Sequence, residues 1–556
     1  MNTSPKKINI MLNSRMNGLL QKYPNIFIRS LLALGFFYVI YFSIWQGLYN
    51  LDPHHWGLMF SNAVDLINGK TPYKEIFIQY GILTTIIHAV AYILITKSLI
   101  SIIAITAFFY ACGLIGIYFL GHALTNNKRI AVFSFITCVI FHPLAIYPWS
   151  NYISFPFLVF GLLFLINGKP AIGLKFLSGI LFSFAMLSRE NLFIPVVVIS
   201  VLASVVVFVD KSLARNIKIR VLVAYWCGLL APILIFFGAL SYFNIYDYWY
   251  KYSVDLPRLY SRFFMGDGVQ HALIGIIKYI VGKNFRKILL LLLFISYLAS
   301  CAAFIFKPMR LQRNKLCFNA GIFITSVFGL LLMSSAIHLH EIFRISTGMT
   351  IGMPVLFYWA SSLSNNKKPY ILQYDVLILS LFVVFCIVTF PRQSKAGNPF
   401  YPTSAQLSES LPFEGVQNFK YQRWSADAIN YYNSVNNDFT HIVSLKCNVK
   451  FIRNDTKDAF ISVLSPFVQY QVAPFGRGFS KLHGFDELRP DFKIDEKIRS
   501  ARDIVIVTAP EDGIGKSFIP PANFSIYSKY VSPKSYFFTE DSVTYILIPT
   551  RCMSNI

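Results

Sequence analysis

A carboxylate, a few cations and several aromatic rings fall in short polar breaks between long apolar runs, and these residues of the 556-residue chain could do chemistry. The first break carries Asp52-Pro53-His54-His55-Trp56, then Gly57 to Lys70, Thr71-Pro72-Tyr73-Lys74-Glu75 and Gln79-Tyr80-Gly81. Others hold His142, Tyr147, Trp149 and Asn151; Ser188-Arg189-Glu190-Asn191; Asp247, Tyr250, Lys251, Asp255, Arg258, Tyr260 and Arg262; and His338-Leu339-His340-Glu341 with Arg344. A carboxylate such as Asp52 can accept the proton of an attacking hydroxyl. Lys74, Arg189 and Arg344 can stabilise charge that develops on a leaving phosphate. Trp56, Tyr73, Tyr80 and Trp149 can line a site for a sugar and an isoprenoid. His54, His55, Glu75, Glu190, His338, His340 and Glu341 would support the same polar cavity. Ionisable groups beside apolar runs are costly and are functional by default; taken singly, each pair could instead be an interfacial salt bridge or a snorkelling group. The histidine pairs admit a divalent metal, but neither has the i, i+4 spacing of a helical zinc site, and the chain has no CxxC or Cys/His zinc spacing. No cofactor is implied.

The elements that must position these residues are membrane helices. The chain is 55% hydrophobic and 14% charged, with a mean hydropathy of +0.53. A soluble protein could not hide that much apolar surface. Apolar runs fall at 30–47, 80–96, 99–122, 130–147, 152–167, 171–187, 191–209, 221–243, 285–306, 316–337, 343–363 and 371–390, several of them reaching the ~20 residues that cross a ~30 Å hydrocarbon layer. The 53 Phe and 32 Tyr suit lipid-facing helices and interfacial belts. The first run is too long for a signal-peptide core and lacks a small-residue cleavage site, so it reads as a retained helix.

The net charge of +24 would suggest nucleic acid in a soluble protein. Here the Lys and Arg residues gather in short loops, at residues 1–29, 128–129, 169–175, 211–220, 307–315 and 367–368, with Asp210 beside them as the lone acid. These loops are placed on the cytoplasmic side, and no nucleic-acid partner is expected. An odd number of crossings must then separate the first polar loop (48–79) from Lys128, yet two apolar runs lie between. The shorter, 80–96, is read as re-entrant or lying at the outer interface. The expected fold is a polytopic α-helical membrane protein with about eleven spans, or twelve to thirteen if further runs cross, its amino terminus in the cytoplasm.

The expected division is a cytoplasmic terminus (1–29), a transmembrane catalytic region (30–390) with outer loops 48–79 and 244–284, and a periplasmic α/β domain (391–556). Beyond Phe390 the composition becomes that of a soluble domain, with strands expected at 440–446, 503–508, 524–531 and 543–548 and helix near 405–435. Residues 56–68 read as an interfacial amphipathic helix that Gly69 and Pro72 break. Cys112, Cys138, Cys227, Cys301, Cys317 and Cys386 lie in apolar runs and are expected to behave as small buried hydrophobes. Cys447 and Cys552 could form one disulfide if the domain is exported.

An Asp directly after the first apolar run, an amphipathic segment, and then the run GKTPYKEIFIQYG resemble the first external loop of the GT-C superfamily of membrane glycosyltransferases, which includes the protein O-mannosyltransferases and the lipid A aminoarabinose transferases. A broad bacterial branch carries Asp, a helix, G-x-x-x-Y-x-[DE], then Y-G; this chain supplies Asp52, Gly69, Tyr73, Glu75, Tyr80 and Gly81 in that order. The later GILFSFAMLSREN is similar to the superfamily's Gly-rich helix ending in a basic residue, here Arg189. The resemblance implies sugar transfer from a polyprenyl-phosphate donor to an acceptor outside the cytoplasm, usually with inversion, with Asp52 as catalytic base and Lys74 where a donor-phosphate ligand is expected. The chain departs from the superfamily in having Pro53-His54-His55 after Asp52 where an acidic pair is common, and in lacking the Lys-Pro-Pro-Leu motif of the lipid A enzymes.

The composition and size also resemble those of serotype-converting O-antigen glucosyltransferases, which implies an undecaprenyl-phosphate-linked hexose donor, glucose favoured, and a glycan or glycolipid acceptor such as lipopolysaccharide in the bacterial inner membrane. Two other classes stay open. An O-antigen polymerase or ligase would rely on Arg and His in large late loops, as Arg258 and Arg262 permit. A flippase for a lipid-linked sugar would carry inverted repeats with polar groups at mid-span; no repeat is visible, and the charges sit at helix ends.

Overall fold

The computed structural model describes residues 24–49, 53, 55–78, 80–141, 150–167, 171–210, 213–255, 258, 285–306, 313–333, 350–364, 404–445, 447–449, 451–454, 456, 458–464, 468–469, 503–509, 518–533 and 543–555. The apolar runs fold as helices because hydrocarbon offers the backbone no hydrogen-bond partner but itself. With the helix of the first polar loop, α2 (His55–Ile67), the helices are in order α1 (Pro24–Gly47), α2, α3 (Ile82–Leu94), α4 (Leu99–Thr125), α5 (Lys128–Phe141), α6 (Ser150–Ile166), α7 (Ile172–Ser188), α8 (Phe193–Val209), α9 (Arg215–Tyr242), α10 (Phe285–Phe306), α11 (Arg313–Leu332) and α12 (Met353–Ser364). Among the described residues five stretches are long and apolar enough to cross a membrane: Ile28–Gly47, Leu99–Thr125, Glu190–Val209, Arg215–Tyr242 and Ile288–Phe306. The expected run at 371–390 lies outside the described residues.

Helix α7 packs between α6 and α9 at the centre of this bundle. Small residues let the backbones meet there, as is usual where lipid supplies no hydrophobic drive. A Cβ on Gly179 would stand 2.3 Å from the Tyr225 carbonyl oxygen, and one on Gly228 would stand 2.1 Å from that of Phe176. Ser178 donates across to the Gly161 carbonyl at 2.6 Å, and Ser183 donates to the Leu229 carbonyl. Lys175, placed in a basic loop by its charge, is buried, and its ammonium caps the end of α6 through the carbonyls of Phe164, Leu165 and Asn167 at 2.9, 2.7 and 2.8 Å. Of the apolar-run cysteines, Cys138 is buried and Cys112 and Cys301 are half-buried, but Cys227 is exposed. Its helix turns that side outward, where lipid and not protein covers a small thiol.

Helix α3 does not cross the bundle. Its 13 residues extend about 20 Å. Its first turn lies against the end of α7, where Thr84 donates to the Ser188 carbonyl at 2.9 Å, and near its far end Tyr92 donates to Asn418 at 2.8 Å. Both ends therefore touch the one rim that carries the first polar loop. Lys128, Lys175, Arg215 and Lys218 lie at or beside the turns joining the opposite ends of the helices.

The C-terminal part builds on α13 (Ala426–Ser444) and a five-stranded sheet of order β4-β3-β5-β7-β6. The strands are β3 (Phe451–Asn454), β4 (Val468–Gln469), β5 (Ile504–Thr508), β6 (Phe524–Val531) and β7 (Val543–Pro549), with a small β1–β2 pair (Leu411–Pro412 and Arg423–Trp424) before them. Strand β3 runs parallel to β4 and β5, while β7 is antiparallel to β5 and β6. Residues 440–444 of the strand expected at 440–446 are instead the last turn of α13. Tyr431, Tyr432, Val435, Phe439 and Ile442 share one buried helical face, Ser425 caps the start by accepting from the Ala428 N–H, and the apparent alternation in the His441-to-Leu445 stretch is the tail of that pattern.

This domain docks on the rim. Trp56, Phe60 and Ala63 of α2 and Leu99, Ile102 and Ile103 of α4 share one apolar cluster with Phe419, Trp424, Tyr432 and Phe460. Gly57 lies so close to the domain that a Cβ would stand 2.6 Å from the Phe460 nitrogen, and the Arg423 N–H donates to the Leu48 carbonyl at 2.7 Å. Helix α2 is therefore roofed by the domain, and its residues from Trp56 to Ala63 are all buried. The expected interfacial helix exists, but protein covers it where the sequence pattern suggested membrane.

A disulfide joins Cys447 to Cys552 across 105 residues of sequence, with 5.4 Å between the Cα atoms. Closing a loop of about 100 residues is worth roughly 4–5 kcal/mol on the chain-entropy account. Mass spectrometry of the alkylated protein is expected to find these two thiols modified only after reduction, and reduction is expected to lower the domain's thermal midpoint. Modification of both without a reductant would contradict the pairing.

Candidate active site

The first polar loop is built as a rigid bracket. Asn62 of α2 donates to the Phe77 carbonyl at 2.8 Å, binding the loop's return to its outgoing helix. Lys70 pairs with Asp65 at 2.6 Å across a turn in which Gly69 takes φ 81°, a conformation that favours glycine. Glu75 closes the next turn, accepting from the Thr71 N–H at 2.7 Å while its own N–H bonds the Thr71 carbonyl at 2.9 Å. Hydrogen bonds from the Thr71 hydroxyl and from its N–H hold the Glu75 carboxyl below its usual range. At the end of the bracket a Cβ on Gly81 would stand 2.0 Å from the Leu187 carbonyl oxygen, so the Y-G pair of the sequence is a contact between this loop and the end of α7.

Between those turns stands Tyr73. Its backbone is left-handed, φ 63°, which costs a side-chain-bearing residue about 1–3 kcal/mol unless its surroundings over-determine it. They do. The ring is 1% exposed and packs with Ile76, Ile78, Leu240 and Ile245. The hydroxyl donates to Glu190 Oε1 at 3.4 Å. Burial and the nearby carboxylate hold the phenol well above its usual range, so it stays a neutral donor.

Glu190 sits in the turn between α7 and α8, partly buried, and also accepts from Ser253 at 2.6 Å. Ser253 belongs to a π-helical turn, Lys251–Asp255, which follows the short helix Tyr246–Tyr250. The preceding residue turns the other way: Arg189 is buried, donates from Nε to Asn191 at 2.7 Å and from a terminal nitrogen to Ser150 at 3.5 Å, and lies 5.9 Å from the Tyr80 ring centre. At that range a guanidinium is attracted to the ring face. Four chain-distant segments thus meet at one rim: the first loop, the start of α6, the α7–α8 turn and residues 246–255. The meeting offers a buried guanidinium, a carboxylate, hydroxyls and aromatic faces, a set suited to holding an anionic, sugar-bearing lipid.

Of the residues singled out in the sequence, Tyr73, Tyr80, Arg189 and Glu190 come together here. Lys74 and Glu75 are exposed on the loop beside them, and His55 is half-buried at the start of α2. Asp52, His54, His142, Tyr147, Trp149, His338, His340, Glu341 and Arg344 lie outside the described residues. Among the described residues no three His, Cys, Asp or Glu side chains stand close enough to share a metal ion. Sequence reasoning passed over Ser253, Ser150 and the Asp65–Lys70 pair. A serine carries no signal in a single sequence, but the i, i+5 acid–base pair flanking Gly69 could have been read as a turn staple.

Asp65 is 6% exposed, and burial pushes its carboxyl up to about 6 against the pull of Lys70. A carboxyl raised on folding lends stability that is full below its unfolded value near 4 and is lost as pH rises through about 6, worth about 3 kcal/mol for a shift of that size. Thermal midpoints measured from pH 4 to 7.5 are expected to fall with rising pH more steeply in the wild type than in Asp65→Asn. Parallel curves would show that the carboxyl titrates unperturbed.

No protein-family model and no curated protein sequence matches the chain. Solved structures do. The lipid A aminoarabinose transferase ArnT from Cupriavidus metallidurans, in a crystal structure bound to undecaprenyl phosphate, aligns over 94% of this chain and 97% of its own with TM-score 0.50 and 11% identity. The same enzyme in its apo state aligns over 90% of this chain and 93% of its own, with 0.47 and 11%. The archaeal oligosaccharyltransferase AglB from Archaeoglobus fulgidus, in complex with an inhibitory peptide and a dolichol-phosphate, aligns over 88% of this chain and 70% of its own, again with 0.47 and 11%. At these identities the likeness is one of fold, and it rests on the first alignment: the chain has the GT-C fold of a multi-pass membrane protein with a strand-containing C-terminal domain.

Proposed function

We propose that this protein is an inverting membrane glycosyltransferase that moves a hexose, glucose favoured, from an undecaprenyl-phosphate carrier to an O-antigen, lipopolysaccharide or other cell-envelope acceptor. The observation that carries the reading is the alignment, over nearly the whole of both chains, with an enzyme crystallised with undecaprenyl phosphate. The convergence of cation, carboxylate and aromatic groups at one rim supports it.

In this reading the acceptor hydroxyl oxygen attacks the anomeric carbon as Asp52 takes its proton, and the bond from that carbon to the phosphate oxygen breaks with inversion. Lys74, Arg189 and Arg344 neutralise the phosphate as it leaves. Tyr73 and Tyr80 hold the sugar and the first isoprene units. In this reading the basic turns at the far ends of the helices lie on the cytoplasmic side and the rim faces the periplasm of a bacterial inner membrane, with about eleven spans. A disulfide-bonded domain on the rim side fits an oxidising compartment. The domain roofs α2, which follows Asp52 in the chain, and in this reading it presents the acceptor there.

Sugar transfer from purified polyprenyl-phosphate-hexose, compared in membranes for wild type and Asp52→Asn at matched expression, tests the assignment. Asn keeps size and polarity but cannot take the proton, so transfer is expected to fall by about 100-fold or more. An Asn variant as active as wild type would remove Asp52 from the chemistry. A wild type inert with every such donor would move the polymerase or ligase and transporter readings ahead.

A further inference from the structure

Arg189 and Glu190 are neighbours in the chain, yet their hydrogen bonds run to different partners. Arg189 reaches Ser150 on α6 and the Tyr80 face, while Glu190 accepts from Ser253 at 2.6 Å and from Tyr73 at 3.4 Å. The Trp249 indole N–H also faces the carboxyl, and the two hydroxyl donors are both neutral. One belongs to the left-handed residue directly before Lys74, and the other to a π-helical turn 63 positions further along the chain. Such turns are uncommon and concentrate at functional sites. Around the three groups Phe77 lies edge-on to Tyr252 with ring centres 5.4 Å apart, and Trp249 packs in the same apolar cluster as Tyr73. The carboxylate is therefore the polar centre of an otherwise apolar joint between the first loop and the 246–255 segment.

We propose that Glu190 is a positioning residue: as a hydrogen-bond acceptor it clamps the Tyr73 turn to the 246–255 segment, and the clamp sets Lys74 and Arg189 together at the phosphate of the lipid-linked donor. The proposal rests on the glycosyltransferase reading for its second half only. The clamp itself is a property of the fold. An acceptor oxygen is what the joint requires, so the amide of glutamine can replace the carboxylate, whereas a catalytic carboxylate could not be replaced in that way.

The test uses full-length wild type, Glu190→Ala, Glu190→Gln and Ser253→Ala, all reconstituted in vesicles. Two readouts are taken: transfer kinetics with polyprenyl-phosphate-hexose, and hydrogen exchange of the amides from Tyr73 to Ile78. Glu190→Ala is expected to lower kcat about tenfold or more while leaving the acceptor KM unchanged, the mark of misplaced groups, and to speed exchange across the loop. Glu190→Gln is expected to restore kcat to within about threefold of wild type and to restore the protection. Ser253→Ala should shift both readouts in the direction of Glu190→Ala without disturbing the turn at 189–191. A Gln variant as inactive as Ala, with loop protection intact, would overturn the proposal and make Glu190 a charged participant. Unchanged exchange in both Ala variants would overturn the clamp. If wild type transfers no sugar while the exchange pattern follows these expectations, the clamp stands and the donor assignment fails.

Discussion

A hydrocarbon layer leaves a buried polar group no water to bond, and most of this protein's arrangement follows from that scarcity. Hydroxyls within the helices turn back on their own turns: Ser43 to Val39, Thr106 to Ile102, Ser134 to Ile130, Thr325 to Gly321. Among the described residues one lysine is buried, Lys175, and its ammonium bonds three carbonyls at a helix end. Groups with bonds to spare are pushed to the helix ends, and the helices that end together decide which of them can meet. Glu190, Arg189, Ser150 and Tyr73 meet because α6, α7 and the first loop share a rim.

A meeting place at a membrane surface needs holding from above as well as from below. Helix α3 lies along the rim and binds the end of α7 at one end and Asn418 of the C-terminal domain near the other. The domain in turn closes over α2, so the first loop is trapped between bundle and roof. This explains how a loop with a strained residue, a tight ion pair and several turns can be rigid. Protein covers most of its inward side, and Asn62, Asp65 and Tyr73 each find a partner there.

Much of this was legible in the sequence. The long apolar runs mark α1, α4, α8 and α9 because length and hydropathy are local properties. Strands β5, β6 and β7 fall on the alternating segments near 503–508, 524–531 and 543–548 for the same reason. The rim cluster was visible in part: Arg189-Glu190 stood out as charges in a very short turn, and Tyr73 stood out within the G-x-x-x-Y-x-[DE] pattern. What stayed hidden is what depends on a partner distant in the chain. Nothing near Ser253 says that it faces Glu190. Nothing in the α2 pattern separates a helix lying on lipid from one roofed by a domain almost 400 residues later. The stretch at 440–446 misled because its alternation fits a strand locally, and only the upstream Ser425 cap and the spacing from Tyr431 reveal the helix.

The account's central claim is a reaction, and its most direct measurement is mass balance in a purified system. Wild-type protein in vesicles would be given polyprenyl-phosphate-glucose and an envelope glycolipid, with donor, free polyprenyl phosphate and glycosylated acceptor quantified by mass spectrometry over time. The account predicts that each mole of acceptor glycosylated appears with one mole of polyprenyl phosphate, the new linkage having the opposite anomeric configuration to the donor. Donor that stays intact with every acceptor offered, or crosses the vesicle membrane unchanged, would contradict it.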